Sequence, residues 1–116
     1  MMTTPRTPTF SPGDVVIVPF PFTDREAEKR RPALVCSTEK FNRQTQHFVL
    51  AMITTSSHTP WLGDVPISDL KSAGLPEASF VRWKLFTLDA SFVLRRAGKL
   101  SARDRTAASA SQPVAL

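Results

Sequence analysis

Two adjacent cations, Arg30 and Arg31, close a segment in which seven of the eight residues from Asp24 to Arg31 are charged, and Pro32 follows them. The residue before a proline is pushed toward an extended backbone. A strand can open on a proline because its first residue need not donate to a ladder. Arg31 is therefore expected at the stiff mouth of a strand beside a charged loop, a placement that suits holding a phosphate. Its guanidinium offers five donors in a fixed fork that matches phosphate oxygens. Without that chemistry the same run is a solvated hairpin loop. Imidazoles titrate near neutrality, which makes His47 and His58 candidates for a two-histidine ribonuclease mechanism. His47 opens an apolar run and reads as structural or exposed, whereas His58 lies in the hydroxyl-rich loop Thr55-Ser-Ser-His-Thr-Pro60. Cys36, between Val35 and Ser37, reads as a small buried hydrophobe and not a nucleophile. Two histidines and one cysteine at these spacings make no metal motif, and four glycines form no phosphate-cradling loop. Trp61, Trp83 and Phe86 offer faces on which bases stack, although aromatics in so small a chain serve the core first.

The chain that must position these groups has 116 residues, enough for one sizeable core and too few for two. Its 41% apolar and 22% charged residues are ordinary for a globular domain. No apolar run approaches the roughly 20 residues needed to span a bilayer, and the first residues, MMTTPRTPTFSPG, lack the apolar segment of a signal peptide. A cytoplasmic protein is expected, and a lone cysteine agrees with that. The net charge of +5 and pI near 10.2 fit a polyanionic partner, with no polybasic block of the membrane-anchoring kind.

Residues 1–12 read as a flexible tail, 13–110 as the single domain and 111–116 as a second tail. Pro12-Gly13-Asp14 turns into a first strand, Val15 to Phe20, ended by Pro19 and Pro21. Pro32 to Cys36 is a second strand, and Thr38 to Gln46 is polar with a turn at Phe41-Asn42. His47 to Thr54 is a third strand whose continuous hydrophobicity suits burial on both faces. A short strand at Val65-Pro66-Ile67 precedes a helix opened by Ser68-Asp69-Leu70 and stopped at Gly74. Ser79 to Lys84 alternates as a half-buried strand, Thr87 to Asp89 is a turn or single helical turn, and Ser91 to Ala97 is a further short strand or extended segment before Gly98. Ser101 with Asp104 resembles a capping box with Asp in place of Glu, opening a helix over about 102–110. Several short strands with brief helices imply a mainly β, mostly antiparallel barrel or roll. Periodicity alone leaves SH3-like and OB-like barrels equally open.

The ordered set GDVVIVPF over Gly13 to Phe20, the loop ending Arg30-Arg-Pro-Ala-Leu-Val35, and Met52-Ile-Thr-Thr-Ser56 resembles the MazF/PemK family, from Gly13 to about Asp104. That resemblance implies an SH3-like barrel of MazF/PemK/CcdB type with a C-terminal helix. It implies a toxin of a type II toxin–antitoxin module, a ribosome-independent endoribonuclease that cuts single-stranded mRNA without a metal or cofactor. A homodimer inhibited by a cognate antitoxin is part of the same expectation, as are 2′,3′-cyclic phosphate and 5′-hydroxyl products. Residue by residue, Arg31 matches the arginine of the family's Arg-Pro pair and Thr54 the hydroxyl residue ending its third strand. These two are the catalytic candidates. Arg82 matches an arginine of the PemK branch, and with Arg30, Thr55, Ser56, His58 and Lys84 it makes the RNA-binding set. The sequence departs at Lys84, where several members carry an acidic residue followed by glutamine and this chain reads Lys84-Leu85. Glu26 or Glu28 in the charged loop could substitute as general base, or a neutral group could orient the 2′-hydroxyl. A non-catalytic nucleic-acid-binding barrel and a gyrase-poison-like toxin on the same fold are the other readings.

Overall fold

The computed structural model describes residues 9–19, 29–57 and 59–113. The two aliphatic runs become β1 (Asp14–Pro19) and β2 (Arg30–Val35), paired antiparallel with Val15 opposite Leu34 and Val18 opposite Arg31. β3 (His47–Thr55) lies on the other side of β2, and β5 (Ser79–Asp89) lies beyond β3. β4 (Val65–Pro66) borders β5, and β6 (Arg95–Lys99) borders β1. The order β4-β5-β3-β2-β1-β6, antiparallel throughout, makes one curled sheet, mainly β as expected. It is a half-barrel with β4 and β6 as its edges.

Both faces carry core, because side chains alternate across a strand. Val15, Leu34, Cys36, Ala51 and Ile53 point to one face and are covered by Ala73, Leu75, Leu100 and Ala108. Val16, Val18, Ala33, Phe48 and Leu50 point to the other, with Ala90 and Phe10 packed there. The middle of β3 is thus buried on both sides, as its continuous hydrophobicity requires. No helix among the described residues is long and apolar enough to cross a membrane.

Two helices follow their local chemistry. α2 (Leu70–Ala73) is capped by Asp69, whose carboxylate accepts from Ser72 N–H, and ends on left-handed Gly74. At α3 (Ala102–Ser111) the Ser101 hydroxyl accepts from Asp104 N–H. The Asp104 carboxylate does not reach back to complete a capping box. It accepts instead from Ser68 N–H and Oγ–H and from Asp69 N–H, fastening α3 to the segment that opens α2.

Elsewhere tertiary contacts override the local signals. The turn expected at Phe41-Asn42 is instead the middle of α1 (Glu39–Thr45), capped by the Thr38 hydroxyl and closed by left-handed Gln46. Asn42 faces inward and donates to Phe10 O (2.8 Å) and Ser37 O (3.2 Å), so a turn-forming residue becomes the helix's buried anchor. Phe10 also meets Phe48 at 5.7 Å between ring centroids, so the expected tail is docked at its inner end. β5 runs to Asp89, past the expected turn at 87–89, and Asp89 caps a 3-10 turn over Ala90–Phe92. The last strand accordingly starts at Arg95 and includes Gly98. A Cβ there would meet Ser72 O at 2.4 Å, so this glycine lets α2 lie against β6.

Candidate active site

Arg31 stands opposite Val18 on β1, and Thr54 stands opposite Phe80 on β5. The β2–β3 ladder pairs Ala33 with Met52. Two residues further along each strand, the same antiparallel register reaches Arg31 and Thr54. By extension of that register the pairs Val18–Arg31 and Thr54–Phe80 fall in one row just past the last paired position of the β2–β3 ladder, and alternation puts them on the face of Val16, Ala33 and Leu50. The two catalytic candidates thus occupy neighbouring strand ends and one face. Arg31 is half-buried and Arg30, paired with Pro19 at the strand's start, is exposed. A guanidinium held partly out of water is suited to an anionic phosphate.

Beyond Thr54 the chain turns sharply. The Thr55 hydroxyl lies 2.9 Å from Ser57 Oγ, and Ser56 N–H donates to Ala78 O (2.9 Å), keeping exposed Ser56 beside the row. Arg82 shares the face, opposite Met52, but is buried, and its Nε and Nη2 donors are taken. They bond both Asp64 oxygens (3.3 and 3.1 Å) and Thr59 O (2.7 Å). Its guanidinium carbon lies 4.5 Å from the Trp61 ring centroid and 5.1 Å from that of Phe80. Arg82, expected in the RNA-binding set, straps the Thr59–Asp64 segment to the sheet. Asp64 Oδ2 also accepts from Trp61 N–H (2.6 Å), closing the strap.

Lys84 is exposed, with its ammonium 5.1 Å from the Trp61 centroid. The register explains its stance. Ala51 pairs with Leu85 but Met52 pairs with Arg82, so Trp83 and Lys84 bulge from β5. A bulge of two residues keeps the alternation on either side while re-aiming the side chains within it.

Three candidates, Glu26, Glu28 and His58, lie outside the described residues. His47 pairs with Asp89 at the far end of β3 from Thr54, and its Nδ1 lies 2.8 Å from Thr45 O. At about 3.3 Å per residue that is over 20 Å from the row, so His47 takes no part in the site. Cys36 is buried, and burial pushes its thiol up to about 12, the behaviour of an inert core sulfur. Among the described residues no group of three or more His, Cys, Asp or Glu could hold a metal ion. Sequence reasoning missed Asp64, whose only local sign is the Gly63-Asp64 turn.

Solved structures with this fold come from several bacteria. An endoribonuclease from a Mycobacterial species, in complex with its cognate antitoxin, matches at TM-score 0.65 and 19% identity, covering 89% of this chain and 88% of that one. A chain of the MazE–MazF structure from Deinococcus radiodurans matches at TM-score 0.67 and 16% identity, covering 89% and 90%. The Mycobacterium tuberculosis toxin MazF-mt6 matches at TM-score 0.66 and 22% identity, covering 84% and 90%. At these identities the likeness establishes the fold. No curated protein matches the sequence. The family model described as "PemK-like, MazF-like toxin of type II toxin-antitoxin system" matches residues 11–111, nearly the whole chain. The chain belongs to the PemK-like, MazF-like toxins of type II toxin–antitoxin systems.

Proposed function

We propose that this toxin is a sequence-specific endoribonuclease acting on single-stranded mRNA in the cytoplasm, as a homodimer held in check by a cognate antitoxin. The observation that carries the reading is the row that brings Arg31 and Thr54 to one face at adjoining strand ends. Arg31 donates to the non-bridging oxygens of the scissile phosphate and stabilises the charge that builds on them in the five-coordinate state. Thr54 hydrogen-bonds the phosphate or the 2′-hydroxyl and keeps the attacking oxygen in line. The 2′-oxygen forms a bond to phosphorus as the bond to the 5′-oxygen breaks. The 2′ proton passes to a base and the leaving oxygen takes up another, giving a 2′,3′-cyclic phosphate and a 5′-hydroxyl. We assign the base to a loop carboxylate, Glu26 or Glu28, because Asp64 is already committed to Arg82. Arg30, Thr55, Ser56, His58 and Lys84 bind the flanking backbone. The nucleophile is the substrate's own hydroxyl, so the reaction as drawn asks for no metal.

The test is cleavage of mRNA by the purified protein in excess EDTA, followed by analysis of the product ends. Removing one preorganised donor to a developing oxyanion costs about 10²–10³ in kcat. Arg31→Ala should fall by that factor with most RNA affinity kept, and Arg31→Lys should recover part of it. Arg30→Ala should weaken binding and its salt dependence more than turnover. A folded Arg31→Ala cutting at the wild-type rate would place the chemistry elsewhere.

A further inference from the structure

We propose that Trp61 is the stacking platform for one RNA base next to the scissile phosphate, held in place by the Asp64–Arg82 pair, and so a determinant of which sequence is cut. The inference rests on the endoribonuclease reading and names the residue that would read the substrate within that site.

Trp61 is 47% exposed. An indole of that size left half in water forgoes burial that the fold could have used. It is nonetheless fixed. The Trp61 backbone N–H donates to Asp64 Oδ2, its backbone carbonyl accepts from Asp64 N–H (3.1 Å), and its ring lies against the Arg82 guanidinium. An aromatic ring already ordered loses little freedom when a ligand settles on it, so more of the stacking energy appears as affinity.

The position is equally specific. Phe80 is the strand partner of Thr54, and Arg82 lies against both Phe80 and Trp61. The stack Phe80–Arg82–Trp61 therefore leads outward from the catalytic row, ending on an exposed aromatic edge. Lys84, re-aimed by the β5 bulge, brings its ammonium to that same ring. An ordered aromatic beside a cation is the pairing by which single-stranded nucleic acids are held, the ring taking a base and the cation its phosphate. Asp64 and Arg82 are positioning residues. They neutralise each other, so the positive charge that a phosphate meets is that of Lys84.

The probe is the RNA sequence mapped as the wild-type cut site, made with 2′-O-methyl riboses so that it binds without being cleaved. Stacking energies for a single base correspond to about a 5- to 150-fold change in affinity. Trp61→Ala should weaken binding within that range, Trp61→Phe by less, and Leu62→Ala, at the fully exposed neighbour, not at all. Replacing the bases one at a time by abasic sites should abolish the Trp61→Ala penalty at one position only. Relaxed cleavage specificity at that position should accompany it. A folded Trp61→Ala that binds like wild type overturns the proposal, as does a penalty that persists whichever base is removed. A wild-type protein that neither binds nor cuts RNA overturns the endoribonuclease reading itself. One that cuts through Arg31 but is indifferent to Trp61 overturns only the platform.

Discussion

Removing Asp64 tests whether the strap is an energetic feature or a surface decoration. The side chains of Arg82 and Asp64 are only 10% and 7% exposed, so Asp64→Ala leaves a guanidinium nearly out of water with no counter-charge. Truncating one member of such a pair costs about 3–5 kcal/mol, against about 0–1 kcal/mol for an exposed pair. Unfolding entropy of about 2.1 cal/mol/K per residue gives about 240 cal/mol/K for 116 residues, so each kcal/mol moves Tm by about 4 °C. The expected fall is about 12–20 °C, read by circular dichroism during heating. Replacing both partners by apolar residues, Asp64→Leu with Arg82→Met, should recover most of it, because no charge is then stranded. High salt should change the wild-type Tm little, since a buried pair is poorly screened. A drop of under about 4 °C in the single variant would refute the reasoning, for the pair would then be worth no more than a solvated one.

Two further outcomes follow from groups remote from the site. Asp104 is buried, which opposes its charge, but hydrogen bonds from Ser68, Asp69 and Ser101 outweigh that and hold its carboxyl below the ordinary range. Its stabilisation is therefore complete above the unfolded-chain pKa of about 4 and is lost as the pH falls through the lower folded value. Urea midpoints should drop from pH 5 to pH 3, and Asp104→Asn should lower the pH 5 midpoint and flatten the decline; an unchanged slope would remove Asp104 as the cause. Cys36, buried and pushed up to about 12, should resist a thiol reagent at pH 8 until denaturant is added, whereas immediate labelling would contradict its place in the core.

Elements governed by their own few residues were legible. The caps of α2 and α3 and the burial of β3 on both faces follow from local spacing and composition. α1 was not, because its deciding residue, Asn42, is a turn former whose amide finds partners at Phe10 and Ser37 only after folding. β5 reads short because Thr87 to Asp89 looks like a turn, a local signal that pairing with His47 to Val49 on β3 overrides. The site divides in the same way. Arg31 and Thr54 could be marked from motifs at strand ends, and a shared register then brings them together. The Asp64–Arg82 bond joins residues eighteen apart through the fold, and nothing in either neighbourhood announces it.

The place of β1 between two partners has a consequence in time. β1 lies between β2 and β6, with Asp14 paired to Lys99 and Leu100 N–H donating to Gly13 O (2.9 Å). A ribosome makes residues 14–19 long before residues 95–99, so during synthesis β1 has a partner on one edge only and waits for the other. The donors at Ser68 and Asp69 must wait likewise for Asp104. Closure over so long a stretch of chain is intrinsically slow. A nascent toxin therefore spends its synthesis with the outer edge of β1 open and its core half covered, and both are closed only after the distant β6 and α3 have been released.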